Sequence, residues 1–403
     1  MAKQKDAGVY QLKNGKWSFR YTITSAGARK DVRKAKDEQG NPLLTKRAAI
    51  EARNRAIEQE KTNPQKPSIV RKTINEVWRE YCEKGRTGKA YTTIRKQDSL
   101  WENHIGGRFG KRFVNEISVA EVNDYLAELY FEDGLSFRYV EGFLKQFYLI
   151  FGQAYSRDYL EVEAYNKLCV NKNSRIQMPK MKVEDDTEII AFSKVELAAL
   201  DEYFKGTNAE TAYLLGRYCG LRINETFGLK WSNVDLEAGT IYIDRQQQYQ
   251  NGLIKLVPVK TRNGKRLIYL PDRMKQHLTE KWEREQEYRT AYHALRDQKQ
   301  RFIDDLDGGR ISSVDLVNCL PDGTIQTVNS FKYPSREIKA KYGIPFKYHY
   351  LRHTYGTMMA EMNTPAHLLC NQMGHSNIHT TQKYYLAVSK MGIEALQENI
   401  NRL

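Results

Sequence analysis

The sequence predicts a multi-domain α+β protein: a small N-terminal β-sheet plus helix, an all-α domain, and a mainly α domain with a small β-sheet or hairpin. Three observations lead there. Alternating apolar residues flank a turn near the N-terminus, and apolar and aromatic residues recur at helical spacing from about Ile69 to Lys180. Later, two short alternating runs interrupt helical patterns. A chain of 403 residues has room for two or three domains, each with its own core. The expected boundaries are 1–66, 67–180 and 185–403.

In GVYQLKNGKWSFRYTI, the residues Val9, Leu12, Trp17, Phe19, Tyr21 and Ile23 alternate around Lys13-Asn14-Gly15, a hairpin signal. After the polar DEQGNP loop, Thr45 can cap a helix through KRAAIEARNRAIEQEK, with a narrow stripe of Ala49, Ala52 and Ala56. NPQKPS, with two prolines and little apolar content, reads as a linker. Beyond it, Ile74, Val77, Trp78 and Tyr81 recur at helix spacing, as do Phe143, Phe147, Ile150, Phe151 and Ala154; most of these belong to a core. The segment TGKAYTTIRKQDSLWENHI puts Lys89, Thr92, Thr93, Arg95 and Lys96 near a helix start, where amides and cations suit phosphate.

QMPKMKVEDDTEII is a polar hinge, and in FSKVELAAL the pair Ser193 and Glu196 forms a capping box that opens the third domain. The charged stretch TEKWEREQEYRTAYHALRDQKQRFIDDLDGGR is expected to be a solvated helix pair. LIKLVPVKTRNGKRLIYLP reads as two β runs joined by a polar turn. At the far end, Ile393, Leu396, Ile400 and Leu403 form an apolar stripe at helical spacing.

Lys plus Arg total 64 against 49 acids, a formal charge of +15. Such an excess favours a polyanionic partner, held by attraction that weakens as salt rises. It names no reaction. The five cysteines (Cys82, Cys169, Cys219, Cys319, Cys370) are far apart and form no CxxC pair, which argues against a disulfide framework and a zinc site and suits a reducing cytoplasm. MAKQKDAGVY has no apolar h-region, and no apolar run reaches the roughly 18 residues that span a bilayer. A soluble cytoplasmic protein is therefore expected, with no membrane partner.

The chemistry lies in scattered residues of the second half. Arg222 stands in GLRINE, Lys260 in VKTRNGKR, His349 and Arg352 in HYLRHT, His375 in MGHSNIHTT, and Tyr384 follows closely. Arginines can hold non-bridging phosphate oxygens, a lysine or histidine can protonate a leaving oxygen, and a tyrosine can attack phosphorus. From Phe346 to Lys390 the only acidic residue is Glu361, whereas two-metal catalysts need clustered carboxylates. No metal or other cofactor is expected. Glu225, at i+3, can fix Arg222 on one helical face, and a guanidinium fork grips two phosphate oxygens as an ammonium cannot. His349, Arg352 and His353 also share a face. Lys265 and Arg266 compete with Lys260 for the acid role, and Tyr385 competes with Tyr384 for the nucleophile.

The order and wording of these segments resemble the tyrosine recombinases, the phage-integrase family, and in particular integrases of conjugative transposons and phages. GLRINE followed by GLKWSNVD, the lysine in KT before a turn, HYLRHT, and MGHSNIHTTQKYY carry the resemblance. It implies the tyrosine-recombinase fold, with an arm-type DNA-binding domain, a helical core-type DNA-binding domain and a catalytic domain. It selects Lys260 as the acid, Tyr384 as the nucleophile, Arg222 and Arg352 as phosphate clamps, and His349 and His375 as proton-transfer and phosphate-binding groups. Glu225 and His353 would support them, and Lys89, Thr92, Arg95, Lys96 and Arg20 would contact DNA. The implied reaction passes through a 3′-phosphotyrosyl link and a Holliday junction without metal or ATP. The implied partners are double-stranded DNA at core and arm sites, a homo-tetramer formed on it, an excisionase and a host DNA-bending protein. A tail helix that docks onto the adjacent protomer also belongs to the resemblance. The readings left as alternatives are a Xer-type chromosome or plasmid resolvase and a non-catalytic DNA-binding regulator.

Overall fold

The computed structural model describes residues 8–25, 28–62, 70–182, 189–306, 309–391 and 400–401. The chain divides into two compact units, 1–185 and 186–403. Both the sheet-and-helix segment and the helical segment fall in the first unit, each around a core of its own. The linker read in NPQKPS lies outside the described residues.

Strands β1 (Val9–Gln11), β2 (Trp17–Ser25) and β3 (Ala28–Lys34) form one antiparallel sheet in that order. Gly15, at φ +79°, closes the β1–β2 turn, a conformation that costs glycine little. Helix α1 (Lys46–Thr62) starts where the Ala48 amide donates to Thr45 Oγ1 at 3.2 Å. Its buried Ala49, Ala52 and Ala56 pack with Phe19, Tyr21 and Leu43. Methyl groups at these positions let the helix lie close to the sheet. Arg20 is exposed on β2.

The helical segment comprises α2 (Ile74–Glu80), α3 (Tyr91–Leu100), α4 (Gly106–Phe109), α5 (Val119–Ala127), α6 (Phe137–Ser156) and α7 (Val162–Tyr165). A capping box of Thr73 and Glu76 opens α2. The long α6 buries Phe143, Phe147, Ile150, Phe151 and Ala154, and Phe109 meets Phe147 edge-on at 5.2 Å between centroids. These aromatics are core, filled by ring-edge contacts. Ala90 precedes α3 without a side-chain cap, and Lys89, Arg95 and Lys96 are exposed there while Thr92 is half-buried.

In the second unit, Ser193 and Glu196 cap α8 (Lys194–Phe204) reciprocally. Then come α9 (Glu210–Cys219), α10 (Ile223–Phe227), and strands β4 (Val234–Asp235), β5 (Thr240–Ile243), β6 (Arg245–Gln250), β7 (Leu253–Pro258) and β8 (Arg266–Tyr269). Helices α11 (Asp272–Ala291) and α12 (His293–Lys299) precede β9 (Phe302–Asp305) and β10 (Gly309–Ser312). The unit finishes with α13 (Lys332–Tyr342), α14 (Tyr348–Glu361), α15 (Ala366–Met373) and α16 (Ile378–Met391). The small sheets are β4-β5-β8 and β10-β9-β7-β6. This is the α+β architecture expected.

Two expectations are corrected. The runs flanking Lys260 do not pair with each other: β7 pairs with β6, and β8 pairs with β5 in the other sheet. The true hairpin is β6–β7, closed by Asn251 (φ +48°) and Gly252 (φ +84°), the Asn-Gly turn that matches strand twist. Lys260 therefore lies on a crossing segment between two sheets. Nor is the charged stretch all helix or all solvated. FIDD and GRIS pair as β9 and β10, and Arg296 donates to a buried Glu285 at 2.6 Å. Ile393, Leu396 and Leu403 of the tail stripe lie outside the described residues. Among the described residues, no helix is long and apolar enough to cross a membrane.

Candidate active site

Helix α9 ends at Gly220, whose φ of +62° turns the chain so that Arg222 stands at the head of α10. The Arg222 amide donates to Glu225 Oε2 at 3.0 Å and its guanidinium donates to Glu225 Oε1 at 2.7 Å. A third bond runs from Arg222 Nη2 to the Gly374 carbonyl at 2.9 Å. Glu225 is only 2 % exposed, and it is held from behind by Arg266. Arg266 Nη1 and Nη2 donate to the two carboxylate oxygens at 3.1 and 2.8 Å, while its Nε donates to the Gln372 carbonyl at 2.9 Å. One carboxylate thus fixes two guanidiniums, and three segments distant in sequence meet on it. Gly374 has φ +67°, and a Cβ there would approach the Arg266 guanidinium to 2.9 Å.

Helix α14 brings His349, Arg352 and His353 to the same place. Arg352 is buried, and it donates to the carbonyls of Gly220 at 2.6 Å and Met373 at 2.5 Å. Its remaining N–H groups stay available to an anion. The rings of His349 and His353 meet edge-on with centroids 4.5 Å apart.

On α16, Thr381 and Tyr384 share a face. The Tyr384 hydroxyl and His353 Nδ1 are 3.0 Å apart. His375 Nδ1 is 2.8 Å from Thr381 Oγ1, and its ring lies nearly parallel to that of Tyr384 at 6.1 Å. Helices α14 and α16 approach closely because position 356 is glycine; a Cβ there would come within 3.0 Å of the Tyr384 ring. The Tyr385 hydroxyl points elsewhere and donates to the Thr364 carbonyl.

Burial and mutual repulsion set the charges. Desolvation would raise the Glu225 carboxyl, but hydrogen bonds and charge from Arg266, with Arg222 and Arg352 beyond, hold it down to about 2. Desolvation and the Arg222 guanidinium lower Arg352 to about 9, still a cation at neutral pH. His375 is lowered to about 3 by desolvation and then by Arg352, Arg222 and Arg266. Desolvation, His349 and Arg352 lower His353 to about 4. His349, though open to solvent along one side, is lowered by partial desolvation and by Arg352 and Arg222. Burial raises the Tyr384 phenol, and Arg352 and Arg222 oppose that rise. The site therefore holds three guanidiniums against one carboxylate, with neutral imidazoles and a protonated phenol. It is a receptacle for an anion.

Of the residues singled out from sequence, Arg222, Glu225, Arg352, His353, His375 and Tyr384 meet here, with His349 at the rim. Lys260 is exposed, and its side chain has no partner in the cluster. Its segment is nevertheless tied to the site on its far side, where Asn263 Nδ2 donates to the His375 carbonyl at 3.4 Å and Arg266 is anchored. His379 is exposed and bonds Gln382. Arg20, Lys89, Thr92, Arg95 and Lys96 belong to the first unit. Sequence reasoning gave Arg266 no such part and did not single out Thr381 or Gly356. Strand alternation was the available signal for Arg266, since it is in phase with the buried Ile268.

Comparison with known proteins fits this geometry. Residues 195–391 match the phage integrase family. The second unit carries the domain of that family, the tyrosine recombinases, and with such a recombinase among its relatives the chain is a tyrosine site-specific recombinase. It is 28% identical over 320 residues to the tyrosine recombinase XerC-like protein of Caldanaerobacter subterraneus subsp. tengcongensis, covering 75% of this chain and 76% of that one. It is 24% identical over 238 residues to the ICEBs1 integrase of Bacillus subtilis, covering 59% of this chain and 61% of the relative. Among solved structures it shares its fold with the Tn1549 transposon integrase in complex with a circular intermediate DNA. That match has a TM-score of 0.60 at 18% identity, over 80% of this chain and 99% of the other. It is also similar to a lambda integrase tetramer bound to a Holliday junction, with a TM-score of 0.52 at 13% identity, over 95% of this chain and 96% of the other.

Removing one partner of a buried ion pair leaves the other charge uncompensated. Arg266→Met should cost about 3–5 kcal/mol of stability in denaturant titration, and adding Glu225→Gln should recover part of it. An unchanged midpoint for the single variant would show that the pair does not organise the site. The histidines make a second prediction. A histidine lowered in the fold binds its proton more readily when unfolded, so its stabilisation is full above its ordinary value of 6.5 and is lost as pH falls toward about 3 for His375. Glu225, lowered from 4.5 to about 2, adds a loss in the same direction at lower pH. The melting temperature should fall from about pH 6.5 downward, and fall less in His375→Asn.

Proposed function

We propose that the chain is the integrase of a mobile genetic element, cutting and rejoining double-stranded DNA through Tyr384. The observation that carries this is the buried Tyr384 hydroxyl, bonded to His353 beside the clamps Arg222 and Arg352. Arg222 and Arg352 are already oriented by carbonyls and Glu225, so their free N–H groups can take the non-bridging oxygens of one phosphodiester. His375 adds a neutral donor on the same side. As the Tyr384 oxygen bonds phosphorus, the bond to the 5′-oxygen breaks, and Lys260 gives that oxygen its proton. The products are a 3′-phosphotyrosyl link and a 5′-hydroxyl. Phosphate ester is exchanged for phosphate ester, so a second strand's 5′-hydroxyl can reverse the step without metal or ATP.

Exchange of two duplexes needs four such sites, and a homo-tetramer around a Holliday junction supplies them. The basic β1-β2-β3 sheet with Arg20 is suited to arm sites, and the exposed Lys89, Arg95 and Lys96, with Thr92, to core-site phosphates. An excisionase and a host DNA-bending protein would serve arm-site assembly. The sheet-and-helix segment ahead of the helical one favours a mobile-element integrase over a Xer-type resolvase. Similarity to the ICEBs1 integrase and, in fold, to the Tn1549 transposon integrase supports the same reading. The XerC-like relative keeps the resolvase as the second reading.

The substrate for testing is a nicked duplex whose sequence is recovered from a random pool by binding to the full chain. Tyr384→Phe should abolish the covalent protein–DNA adduct on a denaturing gel and leave binding near wild type, while Tyr385→Phe keeps the adduct. The reverse pattern would move the nucleophile to Tyr385. Lys260→Ala should fail on ordinary DNA yet cleave a duplex with sulfur at the bridging 5′ position, whose leaving group needs no proton. Equal defects on both substrates would reduce Lys260 to a phosphate contact.

A further inference from the structure

The attack just described needs somewhere for the phenolic proton to go. We propose that His353 Nδ1 accepts the proton of Tyr384, an inference that rests on Tyr384 being the nucleophile. Three observations carry it. Among the described residues, His353 is the one side chain within hydrogen-bond distance of the Tyr384 hydroxyl, at 3.0 Å. The other candidates are occupied or badly placed. His375 directs Nδ1 to Thr381 and faces Tyr384 ring to ring, and the Glu225 carboxylate is gripped by Arg222 and Arg266. His349 meets the edge of the His353 ring, one turn of α14 from it, and has no bond to the phenol. Finally, α14 and α16 are pressed together at Gly356, which fixes the distance between imidazole and phenol.

The step balances as follows. The Tyr384 O–H bond breaks and its proton passes to His353 Nδ1, while the phenolic oxygen forms its bond to phosphorus. The P–O5′ bond breaks, and the departing oxygen takes a proton from Lys260. On rejoining, the incoming 5′-hydroxyl returns its proton to the Lys260 amine as its oxygen bonds phosphorus, and the displaced phenolic oxygen recovers its proton from the His353 imidazolium. Burial, together with His349 and Arg352, opposes a positive charge on His353. A phosphodiester seated on Arg222 and Arg352 cancels part of that repulsion, so His353 becomes a better base when its substrate arrives.

The test uses His353→Asn, whose amide oxygen can still accept a hydrogen bond from Tyr384 but cannot take its proton. On the selected nicked duplex, its rate of covalent attachment should fall about a hundredfold or more, with DNA binding and thermal unfolding unchanged. Replacing Tyr384 by a fluorinated tyrosine, whose phenol ionises more easily, should restore most of the lost rate in His353→Asn. A merely structural histidine would gain nothing from that replacement. His353→Gln is the second variant should the first not fold. Full activity in either variant would overturn the assignment, as would a defect that fluorinated tyrosine leaves untouched. Rescue of His349→Asn instead would move the acceptor to His349. Wild-type protein that forms no adduct at all would defeat the recombinase chemistry itself, and the inference with it.

Discussion

The site depends on one buried carboxylate. Glu225 would be costly to bury alone, and Arg266 makes it tolerable by covering both oxygens, leaving the remaining lone-pair capacity for Arg222. Because Arg266 also bonds the Gln372 carbonyl, the same pair sets where α15 ends and hence where Gly374 and His375 lie. Arg266 begins β8, directly after the segment of Lys260. One carboxylate thus fixes the spatial relation among Arg222, His375 and the segment of Lys260.

That dependence explains what could be read from the chain beforehand. The Arg222–Glu225 relation is local, so its spacing of three announces it. The helix starts at Thr45 and Ser193 are equally local and were legible as caps. The apolar periodicity of α6 marked its core face, because one helix against one core produces a regular pattern. For Arg266 strand alternation hinted at burial, but its partners, 41 and 106 positions away in sequence, were not legible. A charged residue beside a polar turn reads as solvated until the strand that buries it is paired.

The strands misread around Lys260 fail for a related reason. β6 is RQQQYQ, without the apolar alternation that a half-buried strand shows, because its buried Gln247 is satisfied by the carbonyls of Phe227 and Gln326. The Asn251-Gly252 pair was a turn signal left unused, and pairing outward from it gives the right hairpin. In RFIDDLDGGR, charge density concealed Ile303, which is buried with Leu256 and Leu316. Patterns of hydrophobicity see strands only where apolar side chains supply the burial.

Arg222 and Arg352 are both steadied from the main chain. Gly220, Met373 and Gly374 present carbonyls to Arg352 and Arg222. A carbonyl neither titrates within any physiological range nor disappears when its residue is exchanged. Orientation of the clamp is thereby written into backbone path, where drift in neighbouring side chains leaves it intact. Lineages of such a protein can revise the surfaces that choose a DNA sequence, substitution by substitution, while the reaction is inherited unaltered.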